Sequence, residues 1–296
     1  MAEPHAQARE EQFLGALLGL AIGDALGRPL RGMTARDIAD RHGAVTAYLP
    51  VEDAGEGRPL QGEISDKSEI VLCLVESLTT NDGRLDPVNI NARLGFLVNG
   101  PSRQWMSDAV AEGVELAADH DGLVPESWQP EPELAVAARG VPVGLLHAVG
   151  GYDERALEID AATASRLTHA GTDQAMLTSD VARAINRAGR FRDIATIVVS
   201  EGDSQERHIL AEIIDLVRTA ETFEAAVSGA VGLGGMTDSI GALGGAIAGA
   251  TLGASGIPQH LIDGLDARIY LTLAAPWFYR TAVRRAGTVI DLRLVD

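Results

Sequence analysis

A single cysteine, Cys73, occurs in 296 residues, so no disulfide can form within the chain. It lies inside the apolar run from Ile70 to Val75 and is expected to pack as a small hydrophobe, not to serve as an active-site thiol. Basic residues are also scarce. Lys and Arg number 24 against 42 Asp and Glu, a formal net charge of -18. A nucleic-acid partner needs clustered cations to neutralise phosphates, and an anionic membrane surface needs the same, so the reading is no nucleic acid and no membrane. A small phosphorylated ligand stays open, because it senses only the local field and can dock on helix N-termini. No apolar run is expected to reach the length of a membrane span. The segment Met1 to Gln12 is polar and acidic, without the pattern of a signal peptide, and the expected location is cytoplasmic. Internal repeats are missing. Period-two alternation is confined to short pieces, the best being Val289 to Val295, which leaves little room for a sheet.

The chain does contain apolar residues, 46% of the total, against 22% charged, the balance of a globular protein with a sizeable core. Apolar positions recur at helical steps over residues 11–26, where Gly27 and Pro29 then end the pattern. The same periodicity predicts helices at 69–78, 88–98, 105–118, 155–166, 173–188, 206–219, 239–252 and 259–275. Residues 28–62 form a long Gly- and Pro-rich loop, broken by a short helix over 35–39 that Thr34 can cap. Asp119 to Glu133 reads as a surface loop. With no linker in sight, the organisation is a polar tail over 1–10 and one all-α domain over 11–296.

Four segments gather small, acidic and hydroxylated residues where helices begin or end. Gly15 to Gly27 is a helix with glycines at close intervals. Each glycine costs about 1 kcal/mol in a helix interior, so the set points to close backbone packing against another helix or a ligand. Gly62 to Glu69 precedes an apolar helix, and its plainest reading is a capping box with Asp66 as N-cap and Glu69 three residues on. In the third segment, Gly232 to Ser239, either Thr237 or Asp238 can cap the helix that follows, while the glycines suit anion binding only weakly. The fourth joins Ala138 to Leu145 with Leu167-Thr168-His169 downstream.

Taken in order, these segments resemble the ADP-ribosylglycohydrolase family over most of the chain. The resemblance is carried by Gly23-Asp24-Ala25-Leu26-Gly27, by Arg139-x-x-Pro142-x-Gly144-Leu145, by Leu167-Thr168-His169, and by the late glycine, Asp and hydroxyl helix start running on to Ile257-Pro258. It implies a compact helical fold, hydrolysis of an N- or O-glycosidic bond to ADP-ribose, and two divalent cations held between helix termini. It also implies ligand contacts from Gly23, Asp24, Arg139, Gly140, His169, Gly234, Gly235 and Thr237.

The motifs depart from the family at the metal positions. Thr-Asp-Asp-Thr reads Ser65-Asp66-Lys67-Ser68 here, and Gly-Asp-x-Asp-Thr reads Gly235-Met236-Thr237-Asp238-Ser239. Arg31 falls where relatives carry a Glu after the first helix. Asp66 and Asp238 therefore remain as the catalytic candidates, and Ser65, Asp66, Asp238 and Ser239 as a residual metal set for at most one weakly held Mg or Mn. Lys67 and Arg31 can balance the two carboxylates without metal, and a nearby ammonium repels an arriving cation. No cofactor is expected. The favoured reading is a protein binding a small ADP-ribose-type or nucleoside ligand, with hydrolysis lost or altered. The alternatives are a metal-independent or repurposed N-ribosyl hydrolase and a conventional Mg- or Mn-dependent enzyme with one ion.

Overall fold

Residues 8–50 and 61–293 are described by the computed structural model of the chain. Fourteen α-helices follow one another in this range: α1 Glu10–Gly27, α2 Ala35–His42, α3 Asp66–Thr80, α4 Pro87–Val98, α5 Asp108–Ala118, α6 Leu134–Ala137 and α7 Gly140–Leu146 in the first half. The second half holds α8 Glu154–Arg166, α9 Thr172–Phe191, α10 Gln205–Thr219, α11 Phe223–Val231, α12 Thr237–Leu252, α13 Gln259–Gly264 and α14 Arg268–Arg293. Among the described residues there is no strand, only an isolated bridge between Thr34 and Gly234.

The centre of the molecule is a seam between α1 and α12, which run antiparallel. Glycines at four-residue spacing on α1 meet glycines at four-residue spacing on α12, so the two backbones touch. A Cβ placed on Gly15, Gly19, Gly23 or Gly27 would lie 1.9–2.3 Å from the carbonyl oxygen of Gly249, Gly245, Gly241 or Thr237 respectively. The close glycine spacing of α1 thus serves helix packing, as the sequence suggested, and the other side is a helix. Phe13 caps the far end of α1 against the edges of Phe278 and Tyr279, at ring centroid distances of 5.3 and 5.2 Å.

Residues 10–30 do form one helical stretch long and apolar enough to cross a membrane by length and composition, contrary to the sequence expectation. Its glycines and alanines count as apolar there, and 83% of that stretch is buried inside the protein. The remaining corrections have local causes. The predicted helix over 259–275 is two helices, α13 and α14, broken at Leu265, and Val289 to Arg293 continue α14 instead of forming a strand. Residues 294–296 lie outside the described range, as do 1–7 and 51–60, and with them most of the expected tail and part of the long loop. Helices α6 and α7 have no polar face for a periodicity to reveal, α7 being buried at all seven positions, and α11 is only nine residues long. Cys73 is half-buried on α3, and burial first, with the nearby Glu76 adding to it, pushes its thiol up to about 12. It is inert at neutral pH.

Gly95 on α4 is the opposite of a seam glycine, since a Cβ there meets nothing within 4 Å. Gly95→Ala is expected to raise stability by about 0.5–1 kcal/mol through lower backbone entropy in the unfolded chain, visible as a higher denaturation midpoint at unchanged slope.

Candidate functional site

The register of the seam places the C-terminal end of α1 beside the N-terminal start of α12, and α3 begins against both. Three carboxylates are thereby brought to one point, Asp24 from α1, Asp66 from the first position of α3 and Asp238 from the second position of α12. All three are at most 2% exposed. The N-terminal ends of α3 and α12 supply positive partial charge to the cluster.

Lys67 lies among them and is 3% exposed. Its Nζ donates to Asp66 Oδ1 and lies against Asp238 Oδ2, at 2.8 Å in each case. Asp66 and Asp238, 172 positions apart in sequence, thus share one ammonium. Burial would lower the Lys67 ammonium, but Asp238, Asp66 and Asp24 together hold it above the ordinary lysine value. It stays charged. Burial would likewise raise Asp238, yet Lys67 and then Arg31 hold that carboxyl below its usual range. Asp66 goes the other way, raised by burial that Lys67 does not fully offset. Lys67 is also the chain's only lysine, a compositional fact that the motif comparison passed over.

Asp24 organises the start of α3. Its Oδ2 accepts from Ser65 N at 2.8 Å and from Ser68 Oγ at 2.6 Å, and its Oδ1 accepts from Ser65 Oγ at 2.7 Å. Burial raises its carboxyl to about 6, partly offset by Lys67. The expected capping box of Asp66 and Glu69 is not formed. Ser65 is the N-cap residue, its hydroxyl goes to Asp24, and Asp66 turns inward to Lys67. Nor does Thr237 or Asp238 cap α12. Met236 occupies that position, half-buried against the core, while Thr237 Oγ1 donates to Gly27 O at 2.7 Å and Asp238 Oδ1 accepts from Ser239 N at 2.8 Å. Ser239 Oγ also reaches Asp238 Oδ1, at 3.5 Å.

The loop after α1 closes over this cluster. Gly234 and Gly235 both have φ in the left-handed region, +77° and +73°, and their backbone pairs with residues 32–34 through Gly32 N to Gly235 O and Gly235 N to Met33 O, each 2.8 Å. A Cβ on Gly234 would stand 2.6 Å from Ala35 N, so this glycine is needed for the loop contact. That pairing holds Arg31 where its Nη1 donates to Asp238 Oδ2 at 3.2 Å and to Trp105 O at 3.4 Å. Beside it the Arg28 guanidinium stacks 4.2 Å from the Trp105 ring centroid and pairs with Glu63 at 3.1 Å. Sequence reasoning missed Trp105 and Arg28.

A second polar group lies close by. His169 Nδ1 meets Thr168 Oγ1 at 2.9 Å and its Nε2 lies 3.5 Å from Glu133 Oε1, which also accepts from Ser107 Oγ at 2.7 Å. Burial and the charge on Arg139 lower His169, so the ring is neutral at pH 7. Arg139, 1% exposed, donates from Nη1 to Ala164 O at 3.3 Å and feels the charges of Glu133 and Asp66. Burial brings it down to about 10. Its Nε and Nη2 have no protein partner among the described residues. Glu133 gave no signal in the sequence, because it ends a loop and belongs to no motif. Gly23 and Gly140 are packing positions, their α-carbons facing the backbones of Gly241 and Thr178.

The all-helical fold is what the comparisons with known proteins also show. The ADP-ribosylglycohydrolase family model matches residues 5–220 and 179–287, and the chain belongs to that family. It is 28% identical over 286 residues to the ADP-ribosyl-[dinitrogen reductase] glycohydrolase of Rhodospirillum rubrum, covering 88% of this chain and 92% of that protein. It is 29% identical over 323 residues to an uncharacterized protein of Archaeoglobus fulgidus, covering 93% and 98%. Among solved structures it resembles an ADP-ribosylglycohydrolase-related protein complex with a TM-score of 0.74 at 25% identity, over 93% of this chain and 99% of that one.

Proposed function

We propose that the chain binds a small ADP-ribose-type or nucleoside ligand at the Asp24, Asp66, Asp238 cluster, and that hydrolysis there is lost or altered. The observation that carries this reading is the buried Lys67 ammonium bonded to one oxygen each of Asp66 and Asp238. A divalent ion binding between those carboxylates needs the same oxygens and is repelled by the ammonium, so the donor set does not fit the metal that the family implies. Of the other ligands of a residual one-ion site, Ser65 Oγ donates to Asp24 at 2.7 Å and Ser239 Oγ is turned to Asp238 at 3.5 Å. Support for retained binding comes from the buried, partnerless Nε and Nη2 of Arg139, donors that an oxygen-rich ligand satisfies.

A second reading is favoured by one pair of facts. Asp66 is raised and Asp238 is lowered, and two carboxyls pushed apart in this way are what acid and nucleophile roles at a glycosidic bond require without a metal. One experiment separates the readings. With lysine labelled by nitrogen-15, the protein has a single side-chain ammonium resonance, from Lys67, which is titrated with ADP-ribose and nucleosides while released ribosides are assayed with and without magnesium or manganese. The expected result is a saturable shift with no metal-dependent turnover. Metal-free turnover lost in Asp66→Asn and Asp238→Asn selects the second reading, and turnover that needs the metal overturns both.

A further inference from the structure

The exposed face of α14 carries apolar residues that no part of the described chain covers. Ile269, Leu273 and Trp277 are 65%, 64% and 57% exposed. They recur every four residues on one stripe, which Arg280 continues three residues on. Beside the stripe runs an apolar groove of about 340 Å³ between α3, α4 and α14, its walls including Val75, Thr79, Tyr270 and Leu273. Patches of this kind mark contact surfaces.

We infer that this face is where a second copy of the chain docks, α14 against α14 about a two-fold axis through Leu273. The argument is the charge pattern. In an antiparallel pair of identical helices centred on Leu273, each residue faces the one whose number makes the same sum, so Leu273 meets Leu273 and Ile269 meets Trp277, while Arg280 comes opposite Asp266 in the turn two residues before α14 begins. Both members of that last pair are exposed, and neither has an ion-pair partner among the described residues; Arg280 only stacks on its own Trp277, 5.1 Å from the ring centroid. The symmetry therefore matches apolar with apolar and cation with anion, twice over, along α14 and the turn that leads into it. The groove receives side chains flanking the stripe of the second copy. An anionic lipid surface is a poorer occupant, because the chain carries a net charge of -18 and the stripe begins at an aspartate.

Sedimentation equilibrium of the full chain over a dilution series tests this. The expected result is a reversible dimer of twice the 31.1 kDa chain mass. Leu273→Glu, which sets two carboxylates on the axis, is expected to give a monomer that keeps the parent's helical circular-dichroism spectrum and melts cooperatively at a temperature independent of concentration. Arg280→Glu weakens the dimer by about tenfold or more, and adding Asp266→Arg to it recovers the loss by restoring both pairs with reversed sign. A chain that is monomeric at every concentration overturns the proposal, whether or not it binds anionic vesicles. So does a dimer indifferent to Leu273→Glu, or a double charge reversal no tighter than the single one.

Discussion

Lys67→Met is expected to cost about 3–5 kcal/mol of stability, the range for breaking a buried ion pair by removing one partner. The side chains are close in volume, so little of this comes from packing. The cost arises because Asp66 and Asp238 are left buried with the half-exposed Arg31 and the charge of Arg139 to oppose them, while Asp24 keeps its three hydrogen bonds but loses the cation that offsets its burial. For a chain of this length the melting temperature should fall by about 10 °C. Lys67→Asp carries the argument further. It restores the second carboxylate of the family motif and shifts the local formal charge by two units, which makes the cluster a hard, oxygen-rich site for a divalent ion. One ion is expected, since Met236 and Arg31 still occupy the positions where a second would need acids. Binding to the folded state alone adds about 2.7 kcal/mol at a hundredfold excess of ion over Kd. Melting curves with and without magnesium or manganese should therefore separate for Lys67→Asp and coincide for the unaltered chain. If the unaltered chain is stabilised as much as the variant, the ammonium does not exclude the ion and the conventional glycohydrolase reading takes first place.

Gly19→Ala is expected to have an effect of similar size for an unrelated reason. The added methyl would stand 2.0 Å from Gly245 O, and Gly245→Ala would set its own 2.0 Å from Gly19 O. Neither obstacle is the end of a flexible side chain, so the helices themselves must separate. Overpacking of that kind costs about 3–5 kcal/mol, at the upper end for a single substitution. Gly27→Ala, 2.1 Å from Thr237 O, should add a functional signature, because it spreads the seam next to Asp24 and Asp238. The lone lysine ammonium resonance should move or broaden in Gly27→Ala and hold its position in Gly95→Ala. A Gly19→Ala protein with the denaturation midpoint of the parent would show that the seam is not closed in solution.

The residues that converge on the site could be read from the chain because their motifs keep family order, and that Lys67 would balance Asp66, Asp238 or both followed from charge once the resemblance had set them at the family's metal positions. The local roles could not. Asp66 and Glu69 have the spacing of a capping box, but the hydroxyl that would complete a cap at Ser65 is drawn to Asp24, forty-one positions earlier, and no local rule anticipates that partner. Glu133 and Trp105 belong to no motif and reach the site only through the path of their loops. Helices α6 and α7 escaped notice because burial on nearly every side removes the polar stripe on which helical periodicity depends, and α11 because nine residues fall short of the window a periodicity needs. The alternation over Val289 to Val295 is genuine as a pattern, yet its described part, Val289 to Arg293, continues a helix, since five residues carry too little signal to outweigh the twenty-one helical residues before them.

The glycine seam also sets the order in which the molecule can assemble. Gly19 and Gly245 are 226 residues apart, and a ribosome adding about 5–20 residues per second makes α12 some ten to forty-five seconds after α1. Throughout that interval a long apolar helix lacks the partner that shelters it. The site forms late, because Asp238 is synthesised only as that partner begins. Nascent chains shorter than about 250 residues should therefore aggregate or be held by chaperones, and the protein's yield will depend on what shields its N-terminal helix while translation continues.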